Sequence, residues 1–248
     1  MPILIREGQH YADVAKHFDS EYSRMKDIGR SVGEGFKLMF NRINDVSFRG
    51  GFALDIGCGI GTEAVFLAQT GKFTLVEGID ISEVAIAKAS NEASIHGTNG
   101  KVSFKVKNAL ELDRPNNYSF VLMDSVLEYV SEDYKQLLML KVMESTRPGG
   151  INMLTFVTSL PDNFLEERLG YWEKLKEQPF RTLFEASNET RAKSLPFESS
   201  LVDLYRNEGW KVVSRLDYDA ERNFVPVKMT TLVVQKPEDE AWHMARRD

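Results

Sequence analysis

Short apolar runs alternate with helical patterns through the middle of the chain. Each run has the length and character of a buried strand, and the segment after it carries apolar residues three or four apart, which predicts a helix. The predicted strands are Phe52–Ile56, Thr74–Ile81, Val102–Val106, Phe120–Met123 and Ile151–Val157. Strands that alternate with helices in this way predict a parallel sheet covered on both faces, with right-handed crossovers.

Two further helical patterns precede the first strand. Residues 8–28 and 31–46 each carry one apolar stripe at helical spacing, and Gly29 and Gly33 loosen the join between them. Such helices either cover one edge of the core or form a cap that closes over a bound ligand. The pattern favours neither alternative.

The regular alternation ends after the fifth strand. Residues 162–178 show the apolar stripe of an amphipathic helix, and a further helix is predicted over 198–208. The segments Trp210–Leu216 and Met229–Gln235 predict a final hairpin around a long connection.

Together these elements predict one domain over residues 1–248. Its expected fold is α/β, with a doubly wound, mostly parallel sheet of seven strands, helices on both faces and an antiparallel last strand. The expected parts are cap helices at 8–46, a ligand-binding core at 50–158, a lid insertion at 160–197, and a C-terminal helix and hairpin at 198–236.

Composition and charge narrow the class of protein. With 248 residues, 42% apolar and 27% charged, the chain has the makeup of a globular protein with one sizeable core. The net charge of −6 argues against a nucleic-acid partner, for which a basic face is expected. The single cysteine, Cys58, excludes an intramolecular disulfide, and no apolar run has the length of a signal peptide or a membrane span. We therefore expect a cytoplasmic protein with no membrane partner.

Polar residues stand at the ends of the first four predicted strands. A turn with Gly57, Gly59 and Gly61 follows the first strand, Asp80 ends the second, Asn108 follows the third, and Asp124-Ser125 follows the fourth. Ligands of such sheets bind beyond the carboxyl ends of the strands, where the strand order reverses. We therefore expect these residues to converge on one site.

The glycine turn discriminates between nucleotide-like ligands. In the dinucleotide fingerprint Gly-x-Gly-x-x-Gly, Gly57 and Gly59 fit, but Thr62 occupies the third position. Asp55 lies just before the turn, where a carboxylate suits a positively charged ligand better than a pyrophosphate. Asp80 is able to accept hydrogen bonds from both hydroxyls of a ribose. The turn favours an adenosine ligand with a cationic, phosphate-free arm.

These residues resemble a known family. Asp55-Ile-Gly-Cys-Gly-Ile-Gly61 is similar to motif I of the class I, Rossmann-like S-adenosylmethionine-dependent methyltransferases. The resemblance covers roughly residues 50–160 and continues through Gly78-Ile-Asp-Ile-Ser82, Asn108-Ala109, Phe120-Val-Leu-Met-Asp-Ser-Val-Leu-Glu-Tyr129 and Arg147-Pro-Gly-Gly150. The opening segment Val14–Asp19 resembles that of many small-molecule members. The resemblance implies S-adenosylmethionine as the cofactor.

The resemblance also implies which positions hold the methionine arm of the cofactor. Gly57 and Gly59, with their neighbours Cys58 and Thr62, would lie against the methionine and ribose portions. Asp55 would lie near the amino group, directly or through water. The remaining two positions, beside the methionine arm, are Asp124 and Ser125.

The adenosine end is implied in the same way. Asp80 would hold the ribose hydroxyls, and Ile81 would pack on a face of the adenine. Asn108 and the backbone of Ala109 would contact the edge of the adenine. Many members have Asp where this chain has Asn108, and an amide oxygen is still able to accept a hydrogen bond from the exocyclic amine.

The reacting groups are less constrained by the resemblance. Many members have Glu-His where this chain has Glu128-Tyr129, so a general base, if one is needed, is Glu128, Tyr129 or His17. Each of the three also suits a structural role. Candidate substrate contacts lie on the first helix and in the insertion: Phe18, Tyr22, Arg168, Tyr171 and Trp172.

The sequence therefore predicts an enzyme that transfers a methyl group from S-adenosylmethionine to an O or N atom of a small molecule. A sulfonium methyl is already activated, so in-line displacement mainly needs the acceptor held at about 3 Å. The alternatives are methylation of RNA or protein and a non-catalytic binding or scaffold protein. No His/Cys/Asp cluster predicts a metal site, and no pattern specifies an oligomeric state.

Overall fold

The computed structural model describes residues 2–25, 32–43, 50–130, 132–159, 197–222 and 225–238. Ser131, and the insertion predicted to contain Arg168, Tyr171 and Trp172, lie outside these ranges. The helices are α1 Pro2–Arg24, α2 Glu34–Arg42, α3 Thr62–Gln69, α4 Glu83–Ile95, α5 Glu132–Ser145 and α6 Phe197–Asn207. The strands are β1 Phe52–Ile56, β2 Leu75–Asp80, β3 Val102–Val106, β4 Tyr118–Asp124, β5 Thr146–Ser159, β6 Lys211–Arg222 and β7 Val225–Gln235.

The strands form a seven-stranded sheet in the order β3-β2-β1-β4-β5-β7-β6. Strands β1 to β5 pair in parallel, and β7 is antiparallel to both β5 and β6. The predicted fold class, with its antiparallel last strand, is confirmed. Ile56 is in register with Ile79 of β2 and Met123 of β4, so the three strands end together where the strand order reverses.

The hydrophobic core lies on both faces of the sheet. Leu54 and Ile56 of β1 belong to a buried cluster that includes residues of α5 and α6. Ala53 belongs to a second cluster, which includes residues of α2 and α3. Because successive side chains of a strand point to opposite faces, a strand covered on both sides has a continuous apolar run. This explains the pattern that predicted the strand.

The helices before the sheet differ in length from the prediction. Helix α1 begins at Pro2 instead of residue 8, and α2 covers Glu34–Arg42 within the predicted 31–46. Residues 26–28, 31 and 44–46 of the two predicted helices are not described. Helix α2 approaches β6 closely, since a Cβ on Gly35 would lie 2.8 Å from the Tyr218 ring. Within the part of the chain that the structure describes, no helix is both long and apolar enough to cross a membrane.

The predicted long connection in the final hairpin is wrong. Strands β6 and β7 pair as far as Arg222 and Val225, so two residues separate them. The side chains of Leu216, Tyr218 and Ala220 are partly buried while their neighbours are exposed, which is the alternation of a strand with one covered face.

Candidate active site

The glycine turn after β1 folds back onto the end of β2. The backbone N–H groups of Gly57 and Cys58 both donate to the carbonyl of Ile79, at 2.8 and 3.0 Å. Gly57 and Gly59 have φ angles of 68° and 52°, in the left-handed region that glycine adopts without strain. A Cβ on Gly57 would clash with the side chain of Val126, so the turn also requires a residue without a side chain. The turn brings the N-terminus of α3 to the carboxyl edge of the sheet.

Asp80 is held by backbone groups on both sides. Its Oδ2 accepts from the N–H of Gly59 and its Oδ1 from the N–H of Ser82, both at 2.9 Å. The side chain is 8% exposed, and burial raises its pKa despite these hydrogen bonds. Each carboxylate oxygen keeps a second lone pair, so the fixed carboxylate is able to accept from two hydroxyls.

Two buried polar atoms near the start of α3 lack partners among the residues that the structure describes. They are Oδ2 of Asp55 and Oγ1 of Thr62. Burial raises the pKa of Asp55 well above its ordinary value, and the charges of Glu63, Asp124 and Asp80 raise it further. Unpaired buried polar groups are costly, and helix N-termini favour anions. The pair fits a ligand arm that carries an ammonium and a carboxylate, as the methionine part of S-adenosylmethionine does.

A cavity of about 840 Å³ extends from the glycine turn along the edge of the sheet. Its volume lies within the range of roughly 300–1,000 Å³ that is usual for small-molecule sites. Its wall includes ten of the eleven predicted cofactor positions: Gly57, Cys58, Gly59, Thr62, Asp80, Ile81, Asn108, Ala109, Asp124 and Ser125. Asp55, 3% exposed, does not line the cavity and lies buried behind that wall.

Cys58 contributes a small neutral side chain to this wall. Burial, with the charges of Asp55 and Asp80, raises the pKa of its thiol well above the ordinary value. Since the thiolate is the nucleophilic form of cysteine, the placement supports a packing role.

Side-chain hydrogen bonds fix the loops at the two ends of the cavity. The Oδ1 of Asn108 accepts from the N–H of Leu110 at 3.0 Å and begins the short 3₁₀ turn Ala109–Glu111. At the other end, the hydroxyl of Ser125 donates to Asp124 at 2.8 Å. The N–H of Ser125 donates to the carbonyl of Thr155, also at 2.8 Å, and holds the residue at a φ of 58°. Both loops place polar atoms beside the cavity.

One face of α1 covers the cavity, and we call the segment Tyr11–Met25 the roof. Its lining side chains recur at helical spacing: Tyr11, Val14, Phe18, Glu21, Tyr22 and Met25. Except for Glu21, they belong to the apolar stripe seen in the sequence. The stripe therefore faces the cavity, which favours the cap over a cover for the core edge.

Aromatic contacts join the roof to the loop after β4. The ring of Phe18 lies edge-on to Tyr129 at 4.9 Å between centroids and stacks on Tyr22 at 6.0 Å. Tyr129 lines the cavity with Phe18 and Tyr22. His17 packs against Phe18 at 5.3 Å and is not part of the cavity wall. The backbone of Glu128 lies in the turn Leu127–Tyr129, and its side chain is outside the described parts.

Several residues that line the cavity were not predicted from the sequence. The hairpin brings in residues from far along the chain: Tyr218 and Asp219 of β6 and Met229 of β7. Continuing the alternation of β6 past Leu216 would have indicated Tyr218. No short-range pattern indicates Lys107, which also lines the cavity.

Metal chemistry finds no support in the described ranges. Among those residues, no group of three or more His, Cys, Asp or Glu side chains is arranged to hold an ion. The carboxylates around the cavity are instead distributed along its wall.

Comparison with known proteins identifies the core. Residues 53–150 match the family model described as "Methyltransferase domain". The chain is 24% identical over 160 residues to carboxy-S-adenosyl-L-methionine synthase from Shewanella amazonensis, covering 62% of this chain and 65% of that protein. It is 27% identical over 186 residues to protein arginine N-methyltransferase 1 from Dictyostelium discoideum, covering 68% and 50%. The chain thus spans between half and two thirds of these curated relatives.

The fold is also similar to that of a solved methyltransferase structure. The structure of magnesium protoporphyrin IX methyltransferase from Synechocystis PCC 6803 with bound SAH superposes with a TM-score of 0.63. The sequences are 17% identical, and the alignment covers 92% of this chain and 99% of that one. Residues 53–150 therefore match a methyltransferase domain, and the sheet order and the cavity at the glycine turn agree with the Rossmann-like fold of the class I S-adenosylmethionine-dependent methyltransferases.

Proposed function

We propose that this protein transfers a methyl group from S-adenosylmethionine to an O or N atom of a small molecule. The observation that carries the proposal is the cavity that joins the cofactor positions to the roof. A roof over the reacting centre suits an acceptor small enough to be enclosed and excludes water from the transfer.

The residues around the cavity divide the work of holding the cofactor. Asp80 is fixed to accept from the ribose, and Asn108 and Ala109 lie where the adenine edge is expected. Thr62 lies at the start of α3, beside the expected methionine arm. When bound, the cofactor supplies a methyl group already activated by its sulfonium charge. The protein then has to hold the acceptor in line at about 3 Å.

The charge of the wall favours a neutral or cationic acceptor. Among the described residues, the carboxylates that line the cavity are Glu21, Glu63, Asp80, Asp124 and Asp219. In the same part of the chain the cation of the wall is Lys107, and its ammonium is paired with Asp113 at 3.0 Å. A phosphate or carboxylate acceptor would meet mainly like charges, which cost free energy at short range. Amines and phenols meet no such penalty.

The same charge bears on the activity named for one relative. The name of the Shewanella protein refers to a carboxylated form of S-adenosylmethionine. That molecule would place an additional negative charge beside the carboxylates of this cavity wall. Methyl transfer from the unmodified cofactor is therefore the better fit.

The predicted base residues fit unequally. Tyr129 lines the cavity, which supports contact between its side chain and an acceptor. His17 is outside the wall and packs against the ring of Phe18. We therefore propose Tyr129 as the acceptor contact, and Glu128 stays a prediction.

A second candidate function is methylation of an arginine side chain. The arginine methyltransferase among the relatives and the carboxylates of the wall both favour it, because carboxylates pair well with guanidinium. The roof disfavours it, since a peptide needs an open groove beside the cavity.

An acceptor screen separates these functions. The protein is incubated with methyl-labelled S-adenosylmethionine and four sets of acceptors: amines and phenols, phosphorylated and carboxylated compounds, arginine peptides, and RNA. We expect label in the first set, and none with the Asp80→Ala variant. Label mainly in peptides or in RNA would overturn the proposal of a small acceptor. If neither the four sets nor a whole metabolite extract accepts label, a non-catalytic binding protein is favoured.

A further inference from the structure

We infer that Asp19 is a positioning residue that couples closure of the roof to the carboxylate that holds the cofactor ribose. It is one residue beyond Phe18 on α1, and its own side chain does not line the cavity. The inference rests on the cofactor site proposed above and adds a residue to which no cofactor role has been given.

A chain of hydrogen bonds leads from the roof to Asp80. The Oδ1 of Asp19 accepts from the hydroxyl of Ser82 at 2.5 Å and from the N–H of Val84 at 3.3 Å. The N–H of Ser82 in turn donates to Asp80 at 2.9 Å. Ser82 thus contacts a roof carboxylate through its side chain and the ribose carboxylate through its backbone.

The charges of Asp19 and its surroundings favour this contact. Ser82 is the N-cap of α4, and its hydroxyl also accepts from the N–H of Ala85 at 3.0 Å. A carboxylate at a helix N-terminus interacts favourably with the free N–H groups and the helix dipole. At the other end of the contact, the ammonium of Lys88 in α4 donates to the carbonyl of Met25 at 2.7 Å. Helices α1 and α4 therefore hold each other by a charged side chain at each end.

The roof touches the cofactor turn at a second point. A Cβ on Gly59 would lie 2.7 Å from the Tyr22 hydroxyl, so the roof lies directly over the residue whose N–H holds the other oxygen of Asp80. Both oxygens of Asp80 are therefore held by the backbone N–H groups of residues that the roof contacts elsewhere. A ligand bound to Asp80 stabilises this arrangement, and the closed roof in turn forms the wall for the acceptor.

The test compares Asp19→Ala and Asp19→Asn with a control on the same helix, Lys16→Ala. Lys16 is an exposed charged residue that does not line the cavity and makes no hydrogen bond or ion pair with the described residues. Two quantities are measured for each variant: the affinity for S-adenosylhomocysteine by calorimetry, and hydrogen exchange of the peptides covering 11–25 with and without that ligand. Exchange is a readout of roof closure that needs no acceptor.

For the wild type and Lys16→Ala we expect equal affinity and slower exchange in 11–25 when the ligand is bound. Asp19→Ala should bind about tenfold more weakly, the size of a lost charge-assisted hydrogen bond, and lose the ligand-dependent protection. Asp19→Asn keeps an acceptor oxygen and should fall between. Asp19→Ala should weaken the binding of S-adenosylhomocysteine less in the Ser82→Ala variant than in the wild type, because the two substitutions remove the same hydrogen bond.

Two results would overturn the inference and are distinct from failure of the proposed function. One is wild-type affinity in Asp19→Ala. The other is full ligand-dependent protection of 11–25 in that variant, which would leave Asp19 as a surface cap of α4 alone. If the wild type itself binds no S-adenosylhomocysteine, both the cofactor site and this coupling are wrong. Circular dichroism shows whether each variant keeps the helix content of the wild type, and Asp19→Asn supplies the result if Asp19→Ala does not fold.

Discussion

The two walls of the cavity are built by different means. The cofactor wall, at the ends of β1, β2 and β4, is fixed by backbone hydrogen bonds, such as those from Gly57 to Ile79 and from Gly59 to Asp80. The roof is held by side chains: Phe18 packs against Tyr129, and hydrogen bonds of Asp19 and Lys88 link the roof to α4. Backbone contacts allow few substitutions, whereas ring contacts accept many. A rigid wall at the proposed cofactor site is thus combined with an adaptable wall at the proposed acceptor site.

The largest effect is expected at the rigid wall, in Asp80→Ala. Removing this carboxylate leaves the N–H groups of Gly59 and Ser82 without this acceptor and deletes the proposed ribose contact. We expect S-adenosylhomocysteine to bind about 1–3 kcal/mol more weakly, as measured by equilibrium dialysis. Glu77→Gln is the matched control, because Glu77 is a buried carboxylate of the same strand that pairs with Lys105 and Arg114. It should lower stability and leave the affinity unchanged.

A pair of glycine substitutions tests whether the roof lies on the cofactor turn. Gly59 and Gly71 both have left-handed φ angles, 52° and 68°, so alanine costs about 1–2 kcal/mol of strain at either. At Gly71 nothing lies within 4 Å of the new Cβ, whereas at Gly59 it would meet Tyr22 at 2.7 Å. Thermal unfolding should show a larger loss for Gly59→Ala, and only that variant should lose cofactor affinity. Equal behaviour of the two would place the roof elsewhere.

Smaller effects are expected for Asp55→Asn, which should raise the stability of the protein and lower its affinity for the cofactor. The pKa of this carboxyl is raised in the fold above its ordinary 3.8, chiefly by burial. The native state therefore binds its proton more tightly than the unfolded state, and stability is lost as pH rises from about 4 through the raised pKa. The amide removes that loss and should raise the free energy of unfolding at pH 8 by roughly 1 kcal/mol. The difference should vanish at pH 3, as urea titrations at both pH values would show.

The same variant should bind the cofactor less well. Asp55 supplies negative charge behind the methionine arm, so its loss should weaken S-adenosylmethionine binding by about tenfold at pH 8. A variant that is more stable and binds equally well would show that Asp55 has no part in the site.

The smallest effect is expected at the adaptable wall, in Tyr129→Phe. The ring contact with Phe18 is kept, so cofactor affinity should stay unchanged. If the hydroxyl only contacts the acceptor, kcat should fall less than about tenfold with the acceptor found in the screen, well short of the 10²–10⁴-fold expected for loss of a general base. A loss in that larger range would assign the base to Tyr129.

The sequence predicts the rigid wall better than the adaptable one, for a physical reason. The cofactor wall depends on local chemistry: a glycine turn after a strand, and a carboxylate at the next strand end. Such features are visible within about 25 residues, as Gly57 and Asp80 show. The strand order then brings them together without further information.

The adaptable wall depends on contacts that are distant in the chain. Tyr218 reaches the cavity because β6 pairs with β7 through Met229, and β7 pairs in turn with β5. The prediction ended β6 at Leu216, so this residue was missed. Asp55 shows a different limit: its position in the motif is local, but whether its side chain faces the cavity or lies behind the wall depends on packing of α3 against β1.

Calorimetric titration of the protein with S-adenosylmethionine, S-adenosylhomocysteine and NAD tests the central claim most directly. The cavity has a fixed Asp80, a buried Asp55 behind it and a Thr62 hydroxyl with no partner among the described residues. These features predict one-to-one binding of both methionine derivatives and no binding of NAD. Binding of NAD with neither methionine derivative would contradict the account.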